Sequence, residues 1–377
     1  MRLEEGRRSL DRINRINRIR GTLSWTFLLS FPYWGIEGAE PIKVKGTWVL
    51  DSDGHSIPVH LEARPRGLQP SGLLFRNGEL WSVGDQRSEF PGHLLRIDTK
   101  TDRLIGKPIR LEPPALAEKE NPEFAVYRSI PNSDFEGLVT HPLDSNILFA
   151  ITEDKTPWIV EIRLEEAETM KAKIVQLTPI NLPVGVKPWR DNPNFRWEGL
   201  AVSDDGKTMY LAFERAQDDL PRIYHLSLEA ACSGKAADPE EVPLPFAQLP
   251  RRPDKEQALL NVNDIQFLRL EGRTALLSIA RDQERLLLID LEQKRFPRVI
   301  DLDLVDPSGG LMEWVSPEGL AFDIATDRLW IINDPDSERR NYRARNETIP
   351  TGQFADYTPL LFEMKLSAAI RAPAQGK

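Results

Sequence analysis

Cysteine is all but absent: Cys232 is the single one among 377 residues. That excludes an internal disulfide and any cysteine-based metal cluster. Histidine is also scarce, with five in all and no metal-ligand spacing. His141 falls in a turn and His225 in a strand-like run, and neither stands out as catalytic. No Gly-x-Ser-x-Gly elbow occurs, so a serine hydrolase of that type has no support. A phosphate-binding glycine loop and a His-Glu-x-x-His pair are missing too. There is no excess of positive charge: 49 Lys and Arg face 58 Asp and Glu, a net charge of −9. General binding to nucleic acid is therefore disfavoured. No apolar run is long enough to cross a bilayer as a mature helix. No long amphipathic helix pattern is present either.

What the chain does have is a repeat. Asp134-Phe135-Glu136-Gly137-Leu138, Arg196-Trp197-Glu198-Gly199-Leu200, Val262-Asn263-Asp264-Ile265 and Ser316-Pro317-Glu318-Gly319-Leu320 are variants of one motif. A fainter copy, Pro70-Ser71-Gly72-Leu73, precedes them. The glycine steps are 137 − 72 = 65, 199 − 137 = 62 and 319 − 199 = 120, the last covering two units. A period of roughly 55–65 residues is that of a long propeller blade.

Each motif opens a short apolar run, followed by a polar turn and a second run that ends in an acid. Such pairs are hairpins. Third runs follow at His93 to Ile97, Trp158 to Leu164, Arg222 to Leu228, Leu286 to Leu291 and Leu360 to Leu366. Outer runs follow at Arg103 to Leu111, Lys173 to Leu182, Glu241 to Leu249 and Arg298 to Leu304. Four antiparallel strands make a blade, so the expected fold is an all-β propeller of five recognisable four-stranded blades. A sixth, degenerate blade from Gly46 to Arg66 is the alternative. The last blade lacks an outer strand of its own. Ile42 to Leu50 can supply it from the other end of the chain, which would hide two sheet edges.

The hairpin geometry brings acids together. Glu136 opens one strand and Glu153 closes the next, and the offsets recur: 153 − 136 = 17, 214 − 198 = 16 and 334 − 318 = 16. Out-and-back strands put both acids at the same end. Glu136, Glu198, Asp264 and Glu318 are expected to ring one mouth of a central channel, with Glu153, Glu214 and Asp334 beside them. Asp85 and Asp282 are weaker members, off register by one or two residues. The seven acids other than Asp85 and Asp282 are the candidate metal ligands. Being oxygen donors, they point to Ca²⁺ or Mg²⁺ rather than zinc or copper. The competing reading is a staple, in which each acid accepts backbone N–H bonds from a neighbouring blade. The glycines have their own role: near an axis, a missing Cβ lets strands approach.

Two further segments carry chemistry. Pro335 to Pro359 joins the second and third strands of the last blade and holds Arg339, Arg340, Arg343 and Arg345, suited to a phosphate or carboxylate ligand. It reads equally well as a solvated loop that pairs with the acids. Residues 1–40 run from seven arginines through an apolar stretch, Leu23 to Trp34, to small and polar residues. That is the order of an export signal, though with a poor cleavage site. The remaining divisions are a propeller over 41–370 and a short tail at 371–377.

The repeated Glu-Gly-Leu hairpins resemble two related propeller families, the esterase-like or phytase-like domain family and the SdiA-regulated periplasmic propeller family. The resemblance runs from about Ser71 to Leu366. It is carried by Asp134 to Glu153, Arg196 to Arg215, Asn263 to Asp282 and Pro317 to Asp334. It implies an exported, calcium-binding phosphoester or ester hydrolase, in which Glu136, Glu198 and Glu318 are the catalytic candidates. The fourth unit departs from the pattern, with Ile265 in place of glycine and Arg281 near the closing acid. The rival expectation is a non-catalytic propeller that binds a ligand or an envelope partner. In either case the expected partner is a small anionic molecule and the chain a monomer.

Overall fold

The computed structural model describes residues 42–50, 69–86, 90–98, 104–114, 125–166, 169–188, 196–270, 272–305, 310–313, 315–334, 343–344 and 359–367. The signal-like segment, the alternative blade beyond Leu50, the C-terminal tail and most of the arginine loop lie outside them. The described chain is mostly β-strand. In order these are β1 (Ile42–Leu50), β2 (Pro70–Arg76), β3 (Glu79–Gly84), β4 (His93–Asp98), β5 (Leu104–Glu112), β6 (Phe135–His141), β7 (Asp144–Thr152), β8 (Trp158–Glu165), β9 (Lys171–Pro179), β10 (Trp197–Val202), β11 (Thr208–Phe213), β12 (Arg222–Ser227), β13 (Glu240–Val242), β14 (Asp264–Leu270), β15 (Arg273–Ala280), β16 (Arg285–Asp290), β17 (Arg295–Val305), β18 (Met312–Glu313), β19 (Pro317–Asp323), β20 (Arg328–Asn333), β21 (Arg343–Ala344) and β22 (Leu360–Lys365).

Pairing follows the repeat. Strands β2 to β5, β6 to β9, β10 to β13 and β14 to β17 each form an antiparallel group in sequence order. The last group is β19–β20–β22, completed by β1 from the far end of the chain. The register runs from Lys45 opposite Glu363 to Trp48 opposite Leu360. β1 also lies parallel to β17 at Ile42–Lys45 and to β5 at Val49–Leu50. The β2–β3 hairpin turns on Asn77 and Gly78, both at positive φ (51° and 81°), as a two-residue turn of the primed type requires. One outer strand is shorter than the sequence suggests. β13 stops at Val242, and residues 246–248 form a 3₁₀ turn. Pro243 and Pro245 offer no N–H to continue a ladder.

The cores lie between groups, not within them. Leu80 and Leu95 of the first group meet Trp330 and Leu361 of the last. Val83 and Leu94 meet Leu148 and Val160 of the second group. Phe149 meets Trp197 and Phe213, Ala212 meets Leu276 and Leu287, and Leu277 and Leu286 meet Ile331 and Phe362. The contacts therefore close on themselves, giving the arrangement its propeller character. Both faces of the inner strands are covered, so β10 and β16 are buried along their whole length. This is why they read as apolar runs without alternation. Each such leucine or phenylalanine contributes about 1.5–3 kcal/mol by leaving water.

The first strands of the groups are pressed together by their glycines. A Cβ added to Gly72 would stand 2.5 Å from the backbone nitrogen of Leu138. At Gly137 it would meet Leu200 N at 2.8 Å, at Gly199 the Cα of Asp264 at 2.7 Å, and at Gly319 the carbonyl oxygen of Ser71 at 2.3 Å. Real Cβ atoms do not approach backbone so closely, so any side chain here would force the strands apart.

The borrowed strand yields a prediction. Deleting residues 42–50 leaves β22 with an open edge. Each backbone hydrogen bond lost costs about 0.5–1.5 kcal/mol. The truncated protein should melt several degrees lower and scatter light through edge-to-edge association. A truncation that leaves melting and solubility as in the full chain would contradict the closure.

A buried carboxylate cluster

The glycine contacts also decide where the acids go. In β10 the register with β11 slips between Trp197 and Gly199, leaving Glu198 without a cross-strand partner. The same slip occurs between Pro317 and Gly319 around Glu318, and between Phe135 and Leu138 around Glu136. These are β-bulges, which re-aim a side chain that a regular strand would send to a face. The closing acids are fixed by one backbone bond each. The amide of Glu153 donates to the Asp134 carbonyl (2.8 Å), that of Glu214 to Arg196 (2.6 Å), that of Asp334 to Ser316 (3.1 Å) and that of Asp85 to Gln69 (3.1 Å). Every donor is thus paired two residues before the motif's third position, so Asp85 is a full member of the set.

Three overlapping triads result, in each of which one oxygen per residue lies within 4.8 Å of the others: Asp134, Glu136 and Glu153; Glu136, Glu198 and Glu318; Glu153, Glu198 and Glu214. All six residues are buried. Of the acids expected from the motif, Glu136, Glu153, Glu198, Glu214 and Glu318 meet here. Asp134 was not anticipated as a ligand, although it stands in the motif itself.

Asp264 behaves differently. β14 runs in regular register from Asp264 opposite Ile279, with no bulge at its start. The Asp264 carboxylate accepts the amides of Leu320 (2.9 Å), Leu73 (3.4 Å) and its own neighbour Ile265 (2.8 Å). It therefore staples the fourth group to the first and fifth. Asp334 accepts a hydrogen bond from Gln69 Nε2 (3.3 Å) and belongs to none of the triads.

The cluster is dressed on one side. Arg281 Nη1 donates to both oxygens of Glu318 (2.8 Å each), and Nη2 donates to Glu214 Oε1 (2.9 Å). Asn263 Nδ2 spans Glu198 (3.3 Å) and Glu318 (3.2 Å). Asn261 Nδ2 reaches Glu214 (3.1 Å). All three dressing residues come from the fourth group. On the other side, Glu153 accepts the backbone amide of Arg196 (2.8 Å), and Asp134 accepts from Gln86 Nε2 (2.7 Å). Around Glu136 the strongest charges are other carboxylates: Glu198, Asp134, Glu153 and Asp85.

Burial first, and carboxylate neighbours second, hold Glu136, Glu153 and Glu198 well above the usual carboxylate range. Burial, with a smaller push from Glu318, outweighs the three amides at Asp264 and raises it too. Glu214 is raised by burial, with Arg281 and Arg215 opposing. For Asp134, burial and then the adjoining Asp85 push the carboxyl up to about 8. Burial works against the charge of Arg281, but Glu318, Glu214 and Glu198 overcome it and hold its pKa well above the ordinary value.

Such a donor set suits a hard cation, being all oxygen and more negative than its arginine can balance. One observation supports the fit independently. Glu214 Oε2 is buried with no hydrogen-bond partner among the described residues, and so is Asn263 Oδ1. An unsatisfied carboxylate oxygen of this kind costs free energy that a bound ion or water would offset.

The arginine loop does connect β20 to β22, as expected. Arg339, Arg340 and Arg345 lie outside the described residues. Arg343 is placed only by its backbone, opposite Glu313 in the small β18–β21 pair. Asn261, Asn263 and Arg281 were not anticipated as partners of the acids. Only the position of Arg281, beside Asp282, hinted at it.

The raised carboxyls fix a pH dependence. A carboxyl whose folded pKa exceeds its unfolded value binds more protons when folded, so stability falls as pH rises between the two. For Asp134 that window runs from 3.8 to about 8. Each proton contributes a slope of about 1.4 kcal/mol per pH unit. In chelator, melting temperature should fall from pH 5 to pH 8, and Asp134→Asn should flatten the slope. A wild-type profile that is level or rising would contradict the burial of these charges.

Comparison with known proteins gives a family. A model described as phytase-like, "esterase-like activity of phytase", matches residues 67–337. A comparison with curated proteins gives no match. Among solved structures, a luciferin-regenerating enzyme is 12% identical, covering 78% of this chain and 76% of its own, with a TM-score of 0.38. The major allergen Mala s 1 of Malassezia sympodialis is 10% identical, covering 79% and 93%, with a TM-score of 0.45. A protein of unknown function from Bacteroides caccae is 11% identical, covering 70% of each chain, with a TM-score of 0.36. At these scores the likeness is loose and carries no further weight. The family match spans most of the chain, from the first hairpin to the closing acid of the last: this protein belongs to the phytase-like family.

Proposed function

We propose that this chain is an exported, monomeric, five-bladed β-propeller that hydrolyses small anionic esters, phosphoesters first, at an acidic channel mouth holding Ca²⁺. The observation that carries this is the set of overlapping carboxylate triads in a chain of the phytase-like family. Residues 1–40, with their arginine-then-apolar order, are read as the export signal.

In this reading Asp134, Glu136 and Glu153 would hold the ion, with Glu198 adjoining them. When bound, calcium supplies positive charge that neutralises the ester and acidifies a coordinated water. The protein's own groups do the rest. Glu318, gripped at both oxygens by Arg281, is held as a fixed charge and is poorly placed to move a proton. Glu198 is oriented by Asn263. Glu136, with no cation against it among the described residues, would exchange a proton with the attacking water through the oxygen that does not face the ion. Arg339, Arg340, Arg343 and Arg345 would bind the anionic end of the ester.

The test is turnover of a panel of phosphoesters and carboxylic esters in chelator and in calcium. Calcium-dependent turnover is expected. Glu136→Gln should lower kcat by about 100-fold or more while the protein stays folded. Replacing the four loop arginines with Ser should raise KM, and the wild-type KM should itself rise with salt, since exposed charges are screened within about 10 Å at 0.1 M. A wild type that turns over nothing on the panel yet binds phosphate or another small anion would instead mark a binding propeller of the cell envelope.

A further inference from the structure

The fourth group breaks the repeat in three ways at once. It lacks the glycine, having Ile265; it lacks the bulge, since Asp264 sits in regular register; and it lacks the closing acid. Ile265 pairs with Ser278 as Gly199 pairs with Ala212. Counting on by two places Ala280 where Glu214 stands, and Arg281 where Arg215 stands. The arginine is thus common to the third and fourth groups, and the acid before it is missing from the fourth. The Arg281 guanidinium is buried among Glu214 and Glu318, with only 17% of its side chain exposed.

From this we infer that Arg281 is a built-in substitute for a second cation: it supplies fixed positive charge to Glu214 and Glu318 and leaves the Asp134–Glu136–Glu153 side as the place for one exchangeable divalent ion. Its hydrogen bonds join acids that a metal ion could also join. One nitrogen lies 2.8 Å from both oxygens of Glu318 and another 2.9 Å from Glu214, so a single compact charge ties together acids from two groups. Glu214 keeps one buried oxygen without a partner, and Asn263 keeps a buried carbonyl oxygen without one. Both are donors that a divalent cation would use once the guanidinium is gone. The inference rests on the cation reading of the site, but it concerns the arrangement of charge rather than the reaction.

The substitution Arg281→Gln removes the charge while keeping a polar side chain, and Arg281→Lys keeps the charge. In chelator, Arg281→Gln should melt lower by on the order of 5–10 °C, because it strands two buried acids. Calcium titrated calorimetrically should fill one site per chain in the wild type and in Arg281→Lys, and two in Arg281→Gln. Saturating calcium should restore most of the lost melting temperature. An Arg281→Gln protein with the same calcium stoichiometry as wild type, or one that calcium does not rescue, would overturn the inference. Should Arg281→Gln fail to fold in chelator, refolding with and without calcium decides: recovery only with calcium supports the inference, and no recovery in either, with Arg281→Lys folding normally, refutes it. A wild type that binds no calcium beside an Arg281→Gln protein that binds one would sustain the substitution while removing the catalytic ion from the proposed function.

Discussion

The close approach of four glycine-bearing strands is the constraint on which the rest depends. Gly72, Gly137, Gly199 and Gly319 each let the next group's backbone come within the space a Cβ would fill. Strands crowded in this way cannot all keep regular register, and the bulges at Glu136, Glu198 and Glu318 absorb the mismatch. Those bulges turn three glutamates inward that would otherwise face the group interfaces. Packing and electrostatics are thus one problem here. The contacts that close the ring are the same ones that gather like charges out of water.

Buried like charges are costly, and the molecule meets that cost unevenly. The fourth group supplies nearly all of the compensation, through Asn261, Asn263 and Arg281, and its own acid is spent on backbone amides. Asp264 stabilises the assembly as a hydrogen-bond acceptor, whereas Glu136 and Asp134 are left among other carboxylates. The staple and the carboxylate cluster that could hold a cation, posed as rival readings of one motif, therefore coexist. Different copies of the motif have taken different parts.

Much of this was legible in the sequence. The apolar runs located the inner and third strands to within a residue or two, because strands covered on both faces need no alternation to be recognised. The lack of an outer run after Leu366 foretold that Ile42–Leu50 would complete the last group. The division of labour among the acids was not legible. It turns on whether a strand bulges, and a bulge is a matter of register between two strands rather than a property of either. Asp264 and Glu198 look alike in the motif, yet one carries three amides and the other an asparagine. The role of Arg281 was hidden for a similar reason: its two partners lie 67 and 37 residues away. The early end of β13 is the exception, since Pro243 and Pro245 were there to be read.

The strand borrowed by the last group has a kinetic consequence. Lys45 pairs with Glu363, a separation of 363 − 45 = 318 residues. No earlier hairpin depends on so distant a partner, so the local groups can form as the chain is made while this one waits for both ends. Contacts at such separation are slow to form, because loop entropy must be overcome before they are rewarded. Until the two ends meet, the molecule is a row of sheets with an unpaired edge at β22, the state most open to association with other chains. Ring closure is therefore expected late in folding, and shortening the separation by circular permutation should speed it.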